Sequence, residues 1–453
     1  MKTILTLLCA VTLTALSVSF AFASGEVPAK AQDHPIVLKN AVIHTGSGAT
    51  IDGGMIVFDK GKITAIGTSV AIPQGAEIID LKGQNVYPGF IDGRSNIGLT
   101  EIGAVRATND INESGDVNPN LRPEVAINPE SELIPVTRAN GITMAVTMPS
   151  GGLISGMASL ALLDGWTWED MTFKAPVGLV MSWPSMTINH AWWERRSEDD
   201  QKKERDKQLD QLRQIFSDAR SYMKAKLAEG NNSVPYHPHD AKLEAMIPVL
   251  QGKIPVFVDA EEVQQIEAAI AWADKEQVKL VIMGGYDAWR VTDLLKAHDV
   301  SVIVNPVMRL PWRRFEEYDQ AQLLPKKLFE AGVHFCIAGE GGASNERNLP
   351  YQAAMAVGHG LPKDEAMKAI TINAAQIFGV SDRVGSLEVG KDATIIVSDG
   401  DPLEIASNIT MEFMQGKNIQ LTSRHTRFYE KYKTKYEQED PSKLVPPKKI
   451  KGE

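Results

Sequence analysis

The fold changes at Asn85-Val86-Tyr87-Pro88-Gly89-Phe90-Ile91-Asp92, where the spacing of apolar residues switches. Before this stretch, residues 36–80 form short apolar runs separated by glycine-containing turns, which is typical of a small antiparallel sheet. From Val86 onwards, short apolar segments alternate with segments of helical periodicity. The switch predicts that a second architecture, built from alternating strands and helices, begins here.

This second part contains eight short apolar segments, at 86–92, 142–148, 160–163, 177–181, 256–258, 280–283, 302–304 and 335–337. Several are apolar on both faces, as the strands of a covered parallel sheet must be. Helical patterns lie between them, at 130–139, 241–250, 261–274, 288–297 and 322–331. Eight strands with helical crossovers predict an α/β fold of the (β/α)8, TIM-barrel type.

Composition narrows the class of protein. Of the 453 residues, 43% are hydrophobic and 23% are charged, which are values of a globular chain. The 57 acidic residues outnumber the 47 Lys and Arg, and this net charge of −10 argues against a nucleic-acid partner. Nine His would suffice for a metalloenzyme if they stood in suitable places.

The first residues resemble an export signal. Lys2 precedes an apolar stretch at 4–22, and Ala21-Phe22-Ala23 is a small-x-small cleavage pattern. A cleaved signal peptide at 1–23 is therefore predicted, with the mature protein periplasmic or secreted; the alternative is a retained membrane anchor. Cys9 would leave with the peptide, so Cys336 has no partner for an internal disulfide. No later stretch has the length and apolarity of a membrane span.

Two further segments stand out. Residues 194–229 are densely charged, and their apolar residues recur at helical spacing, which predicts a long amphipathic helix on the barrel. A lid helix or partner-binding helix is the alternative. The basic tail at 421–453 is expected to be a frayed or lightly docked extension, with a membrane- or glycan-binding patch as the alternative.

Three parts of the chain carry a resemblance to a known family. They are 36–41 with 61–67, the stretch at 85–92, and 371–380 followed by 385–393. In order and spacing they resemble the amidohydrolase superfamily, in its imidazolonepropionase-like secreted branch. The resemblance implies a barrel at 85–380 and a small β-sandwich domain formed from both chain ends, at 34–84 plus 381–420.

The metal-binding motif of that family is degenerate here. Family members place His-x-His directly after the first strand, where residues i and i+2 point to one face and both imidazoles reach one metal. This chain has Arg94 and Asn96 at those positions, and a guanidinium has no acceptor for a metal. The usual His of the fifth and sixth strands and Asp of the eighth correspond to Asp259, Gly284 and Glu340. Together these changes predict that no metal occupies the usual centre.

The nine His offer only a partial substitute. His237 and His239 have chelating i, i+2 spacing, and Asp240 could orient one ring, so zinc or another divalent metal at this relocated site is the alternative. His190 follows the fourth strand and is expected to reach the barrel mouth. The other His are expected to be surface or capping residues.

The carboxyl ends of barrel strands converge on one cavity, so Arg94, Asn96, Asp259 and Glu340 are predicted to face each other. A guanidinium between two carboxylates would take the place of the metal electrostatically and offset the repulsion between the acids. One interpretation is a structural ion cluster. The other is an anion or amide pocket with Asp259 or Glu340 as the general base.

Loops after the strands supply further candidates. The polar loop at 106–120, which contains Asp110, could bind a cation or polar ligand, or be a solvated loop of tight turns. The N–H groups of the glycine-rich loop at 150–156 could hold a carboxylate or oxyanion. Tyr286 and Asn305 follow strands and are expected to line the pocket.

Two main hypotheses on function follow. The first is an exported hydrolase acting on the C–N bond of a small, non-peptide or cyclic amide without the usual metal centre. The second is a catalytically inactive amidohydrolase-fold protein that binds a small ligand or a partner protein. A structural subunit of a larger hydrolase assembly is a third option, and the sequence leaves open whether the chain forms a homo-oligomer.

Overall fold

The computed structural model describes residues 27–48, 50–230, 236–339 and 341–439. The predicted signal peptide, Glu340 and the end of the basic tail lie outside these ranges. Within them, no helix combines the length and apolarity needed to cross a membrane.

The strands are β1 (Ile36–His44), β2 (Thr50–Asp59), β3 (Lys62–Gly67), β4 (Glu77–Asp80), β5 (Asn85–Pro88), β6 (Phe90–Ser95), β7 (Ile142–Thr147), β8 (Ile154–Leu162), β9 (Thr172–Ser182), β10 (Val256–Ala260), β11 (Leu280–Gly284), β12 (Ser301–Val304), β13 (Phe335–Ile337), β14 (Ile395–Ser398), β15 (Ile409–Met414) and β16 (Lys417–Ile419).

The α-helices are α1 (Leu133–Arg138), α2 (Trp168–Met171), α3 (Glu198–Gly230), α4 (Ala241–Leu250), α5 (Val263–Glu276), α6 (Thr292–Ala297), α7 (Gln320–Ala331), α8 (Leu349–Gly358), α9 (Lys363–Ala369), α10 (Ile372–Ile377) and α11 (Arg424–Glu439). The helix predicted at 288–297 is a 3-10 turn, Ala288–Arg290, followed by α6.

The predicted strand at 86–92 is in fact shared between two sheets. β5 pairs with β1 and β14 in one sheet, whereas β6 pairs with β7 in the other. The chain passes between them at Gly89, where a Cβ atom would lie 2.3 Å from Thr143 Oγ1. A glycine is therefore required at this crossing, since any side chain would clash with β7.

Strands β6 to β13 form the wall of a nearly closed barrel, in the spatial order in which they follow along the chain. Its core contains large buried side chains such as Phe90, Phe257 and Phe378. At the seam between β13 and β6, the backbone N–H of Gly339 donates to Asp92 Oδ1 over 2.9 Å. The carboxyl ends of the parallel strands thus meet at one end of the barrel, as predicted.

The third strand of the wall differs from the prediction of a parallel strand at 160–163. It is β8, which is longer and runs antiparallel to both β7 and β9. Only residues 148–153 connect β7 to β8. A crossover between parallel strands needs a dozen or more residues, so this short connection can only turn the chain back. The start of β8 therefore lies beside the carboxyl ends of its neighbours.

The second sheet joins β1 to β5, from the first part of the chain, to β14, β15 and β16. It has its own core, which includes Leu38, Phe58 and Phe413. Hydrogen bonds link all of these strands into a single sheet, so a sandwich of two sheets and the exact domain bounds remain predictions.

The two segments that stood out in the sequence are both helical. α3 buries Leu212 and Phe216, and the Phe216 ring meets Trp272 edge-on with 4.9 Å between centroids. This confirms a long helix packed against the barrel. The described part of the tail is α11 rather than a frayed segment, and Arg427 Nη2 ties it to the barrel 3.2 Å from Glu132 Oε2.

We expect the stability of the protein to depend on the protonation of Glu412. This fully buried residue of β15 lies near Arg138 and Asp164, and burial raises its pKa well above that of an exposed glutamate. The folded state therefore keeps a proton that the unfolded chain releases, and stability falls as pH rises above about 4.5. The free energy of unfolding of Glu412→Gln, measured in urea, should therefore rise relative to that of wild type by up to about 1.4 kcal/mol for each pH unit above this value.

The exposed Glu404→Gln variant is the control, and its stability should follow the wild-type pH profile. Parallel profiles for wild type and Glu412→Gln would show that Glu412 carries no raised pKa.

Candidate active site

A cavity of about 170 Å³ opens at the carboxyl ends of the barrel strands. Its lining includes Arg94, Asn96, Met148, Ser155, Val180, Ser182, Asp259, Met283 and Gly341. Two of these side chains are charged, Arg94 and Asp259, and they are the two around which the sequence predicts the site. This position is where barrel enzymes carry their chemistry.

Arg94 connects three strand ends. Its Nη2 atom donates to Asp259 Oδ2 over 2.7 Å, and its Nη1 atom donates to Asn305 Oδ1 over 3.1 Å. The amide of Asn305 in turn donates to Glu261 Oε1 over 2.7 Å. Arg94 and Asp259 thus lie together as predicted, whereas Asn305, which was expected to line the pocket, is not among the residues that line the cavity and contacts Arg94 instead. The sequence analysis did not single out Glu261, the last residue in this series of hydrogen bonds.

Glu261 occupies space that a missing side chain leaves free. A Cβ atom on Gly284, at the position of the usual sixth-strand His, would lie 2.5 Å from Glu261 Cδ. Burial raises the pKa of the Glu261 carboxyl, an effect that the N–H of Tyr286, 2.9 Å from Oε2, opposes. The loss of a side chain at Gly284 therefore makes room for this carboxyl group behind Arg94.

A pair of buried acidic residues, Asp92 and Glu346, lies near the end of β6. Asp92 and Glu346 are both fully buried, and a Cβ atom on Gly339 would lie 2.3 Å from Asp92 Oδ2 and 2.4 Å from Glu346 Oε2. Burial raises the pKa of Asp92, so the two carboxyl groups are expected to share a proton. Asp92 Oδ1 also accepts the backbone N–H of Arg94 over 3.1 Å, which holds the end of β6 in place.

Tyr286 has a supporting position instead of the predicted place on the cavity wall. Its ring is buried and stacks on Trp312 with 4.7 Å between centroids, and its hydroxyl donates to Glu316 Oε2 over 2.7 Å. The guanidinium of Arg309 lies 4.8 Å from the Tyr286 ring and 4.2 Å from the Trp312 ring. Tyr286 contacts the site through its backbone N–H to Glu261.

Two predicted ligand-binding residues lie elsewhere. His190 is exposed, and its nearest charged partner is Glu198, 3.9 Å away at the start of α3. Asp110 is exposed and borders a separate cavity between the polar loop and residues 121–126. Following a strand does not by itself bring these side chains into the site, even though Ile111, next to Asp110, borders the cavity. Glu340 lies outside the described residues, and its approach to Arg94 remains a prediction.

Asn96 and the glycine-rich loop at 150–156, which were expected to bind a ligand, make hydrogen bonds within the protein. Asn96 Oδ1 accepts the backbone N–H of Ala343 over 2.8 Å and so ties β6 to the loop after β13. In the glycine-rich loop, the N–H of Ser150 donates to Ile111 O, and those of Leu153 and Ile154 donate to Asp116 O. These three N–H groups are thus engaged within the protein instead of pointing to a ligand.

The donor set around Arg94 does not fit a divalent metal. The guanidinium is a permanent cation, and it already holds the oxygen of Asp259 and the amide oxygen of Asn305 that a metal would use. Within the described ranges, no group of three or more His, Cys, Asp or Glu has metal-binding geometry, and this includes the exposed pair His237 and His239. A relocated zinc site remains a prediction.

A larger cavity, of about 730 Å³, lies at the amino-terminal ends of the strands. Its His334 ring is held by Ser301 Oγ and Gln376 Oε1 at 3.1 and 3.0 Å, and its Lys174 Nζ donates to the backbone oxygens of Phe378 and Gly379. These side chains are thus held by hydrogen bonds within the protein at the amino-terminal end of the barrel. The smaller cavity is therefore the candidate active site.

Arg94→Ala should lower the free energy of unfolding by about 2 kcal/mol, because it leaves the carboxylate of Asp259 without its cation and the amide of Asn305 without its donor. The Arg94 and Asp259 side chains are 29% and 30% exposed, which places the pair between a surface pair and a buried one. Urea unfolding measures the change. Arg213→Ala, which breaks an exposed ion pair with Asp210, is the control and should cost less than about 1 kcal/mol. Equal losses would contradict a special role for Arg94.

Comparisons with known proteins agree with the barrel fold. A model of the amidohydrolase family matches residues 316–424. The amidohydrolase tasK of Hapsidospora irregularis is 22% identical over 437 residues, covering 84% of this chain and 43% of that protein. The imidazolonepropionase of Syntrophobacter fumaroxidans (strain DSM 10017 / MPOB) is 37% identical over 78 residues, which are 17% of this chain and 18% of that enzyme. The chain thus spans less than half the length of either relative.

The solved structures include a match over nearly the whole fold. The crystal structure of an amidohydrolase from Thermotoga maritima MSB8 has a TM-score of 0.75 at 26% identity, covering 85% of this chain and 99% of that one. Fold and cavity together define a barrel protein with its site at the strand carboxyl ends. The partial family match, the partial relatives and this solved structure together support the amidohydrolase superfamily for this chain.

Proposed function

We propose that the protein is an exported hydrolase that cleaves the C–N bond of a small amide in the cavity at the barrel mouth. The observation that carries this proposal is the ion pair of Arg94 and Asp259 on the cavity wall, where a carboxylate base and a fixed cation face the same space. The similarity to amidohydrolases supports the reaction type, and the apolar stretch at 4–22 supports export.

In the proposed reaction, Asp259 acts as the general base. It accepts a proton from a water molecule whose oxygen attacks the amide carbon, and an N–H group of Arg94 stabilises the negative charge that develops on the carbonyl oxygen. The C–N bond then breaks, and the proton passes to the leaving nitrogen. Asn305 and Glu261 act as positioning residues, because they hold the guanidinium from behind.

The guanidinium supplies the positive charge that the usual metal would bring to this position, so we propose that the reaction needs no metal between Arg94 and Asp259. Glu340 is a second candidate for the general base. Its place at the end of the eighth strand corresponds to the acidic residue of the family.

Turnover and metal content test the proposal together. The purified protein is assayed with a panel of lactams and N-acyl-p-nitroanilides before and after dialysis against a chelator, and its metals are measured. We expect hydrolysis of at least one amide at an unchanged rate after dialysis. Stoichiometric zinc whose removal abolishes turnover would overturn the metal-independent mechanism.

A catalytically inactive binding protein is the second candidate. It is favoured by the engagement of both Nη atoms of Arg94 with protein groups, which is also how a purely structural ion cluster would look. Binding of amides without hydrolysis of any member of the panel would support this candidate against the first.

A further inference from the structure

One buried hydroxyl on the cavity wall has no use within the protein. Ser155 borders the cavity and is 3% exposed, and its Oγ atom has no hydrogen-bond partner among the described residues. A buried hydroxyl without a hydrogen-bond partner lowers the stability of the folded protein, so the Ser155 hydroxyl does not serve the fold. The other hydroxyl of the same strand is also buried but is used, since Ser159 Oγ donates to Glu124 Oε2 over 2.6 Å.

The backbone directs Ser155 towards the cavity. The pairing of β8 with β9 shifts between Ile154 and Gly156, so Ser155 is the extra residue of a β-bulge. Bulges re-aim side chains and are common beside active sites. Gly156 keeps the bulge closely packed, since a Cβ atom there would lie 2.9 Å from Leu121 Cβ.

The part of the cavity wall formed by described residues carries no net charge. Among the described residues that line it, the charged ones are Arg94 and Asp259, and they pair with each other. Ser155 borders this cavity together with neutral side chains, among them Met148, Val180 and Met283. An ionised ligand group would have no free counter-charge there, and burying it would be costly.

We propose that Ser155 is a ligand-binding residue and that the cavity takes an uncharged amide, whose polar group hydrogen-bonds to the Ser155 hydroxyl. The inference rests on the proposed function in one respect, which is that the reacting amide of the ligand lies beside Asp259. The volume of about 170 Å³ equals that of about six water molecules, so the bound group is small. A lactam ring or a short primary amide meets these requirements.

The test compares neutral and charged probes on two serine variants. Binding of 2-pyrrolidinone and of propionate is titrated by ligand-observed NMR with wild type, Ser155→Ala and Ser159→Ala. We expect the lactam to bind wild type more tightly than propionate does. Ser155→Ala should raise the Kd of the lactam about 5-fold, the effect of one hydrogen bond, and Ser159→Ala should leave it unchanged.

Thermal unfolding provides a readout independent of binding. Ser155→Ala should melt no lower than wild type, because its hydroxyl has no partner to lose, whereas Ser159→Ala should melt lower because the buried Glu124 Oε2 loses its donor. A lower melting temperature for Ser155→Ala would reveal a structural partner and overturn the inference. Absence of lactam binding, tighter binding of propionate, or an unchanged Kd for Ser155→Ala would also overturn it.

The outcomes separate this inference from the proposed hydrolysis. Ser155-dependent lactam binding without turnover of any amide would support the ligand site and contradict the hydrolase. Turnover with the same KM in wild type and Ser155→Ala would support the hydrolase and contradict the ligand site.

Discussion

Gly339→Ala is expected to destabilise the protein by about 3 kcal/mol and to disturb the active site with it. The added Cβ atom would lie 2.3 Å and 2.4 Å from oxygens of Asp92 and Glu346, and both of these residues are fully buried. Overpacking of this kind typically costs about 1–3 kcal/mol, and here the clash falls on two polar groups at once. Asp92 also holds the backbone of Arg94, so the guanidinium should shift as well. Urea unfolding and crystallography of the variant measure both effects.

Gly342→Ala is the matched control, because it lies three residues further on and its Cβ atom would have no neighbour within 4 Å. It should unfold like wild type. If Gly339→Ala and Gly342→Ala unfolded at the same urea concentration, the tight packing of the two carboxyl groups around Gly339 would be wrong.

Asp259→Asn is expected to lower kcat by about 100- to 10,000-fold on any amide that the wild type hydrolyses, since the variant loses the general base. The fold should survive, because asparagine has the same shape and its side-chain oxygen can still accept the hydrogen bond from Arg94 Nη2. Steady-state kinetics, together with a melting curve for each variant, measure the two effects separately.

Asp274→Asn is the control for this variant. Asp274 is a half-exposed residue at the amino-terminal end of the barrel, where it pairs with His298 at 2.9 Å. Its replacement should leave kcat unchanged. Retained activity in Asp259→Asn would assign the base elsewhere, with Glu340 as the first candidate.

Part of the candidate site was accessible from the sequence because it depends on strand ends alone. Arg94, Asp259 and Asn305 each end or follow a parallel strand, and parallel strands of one barrel deliver their carboxyl ends to one place. Glu261 was missed although the sequence carries a signal for it. It lies two residues after Asp259, the spacing that puts two side chains of an extended chain on one side. The position of its carboxyl group depends on the space beside Gly284, which only the tertiary structure shows.

Positions further from a strand end were not predictable in this way. His190 and Asp110 follow strands in the sequence, yet their loops carry them to the surface. The direction of a loop depends on what it packs against, which local periodicity does not report. The antiparallel course of β8 was also not predicted, because the strand expected at 160–163 in fact begins at Ile154 and leaves only residues 148–153 for a connection.

The sequence by itself predicted the barrel, the resemblance to the amidohydrolase superfamily and the position of Arg94 and Asn96 at the end of the first barrel strand, because all three depend on local residue types and their spacing. Only the tertiary structure decided that Arg94 is held by Asp259, Asn305 and, through it, Glu261, and that a bulge in β8 brings Ser155 to the cavity. These arrangements arise from contacts between residues far apart in the chain. Such contacts are set by the packing of the strands around the core, and a pattern within one segment does not contain them.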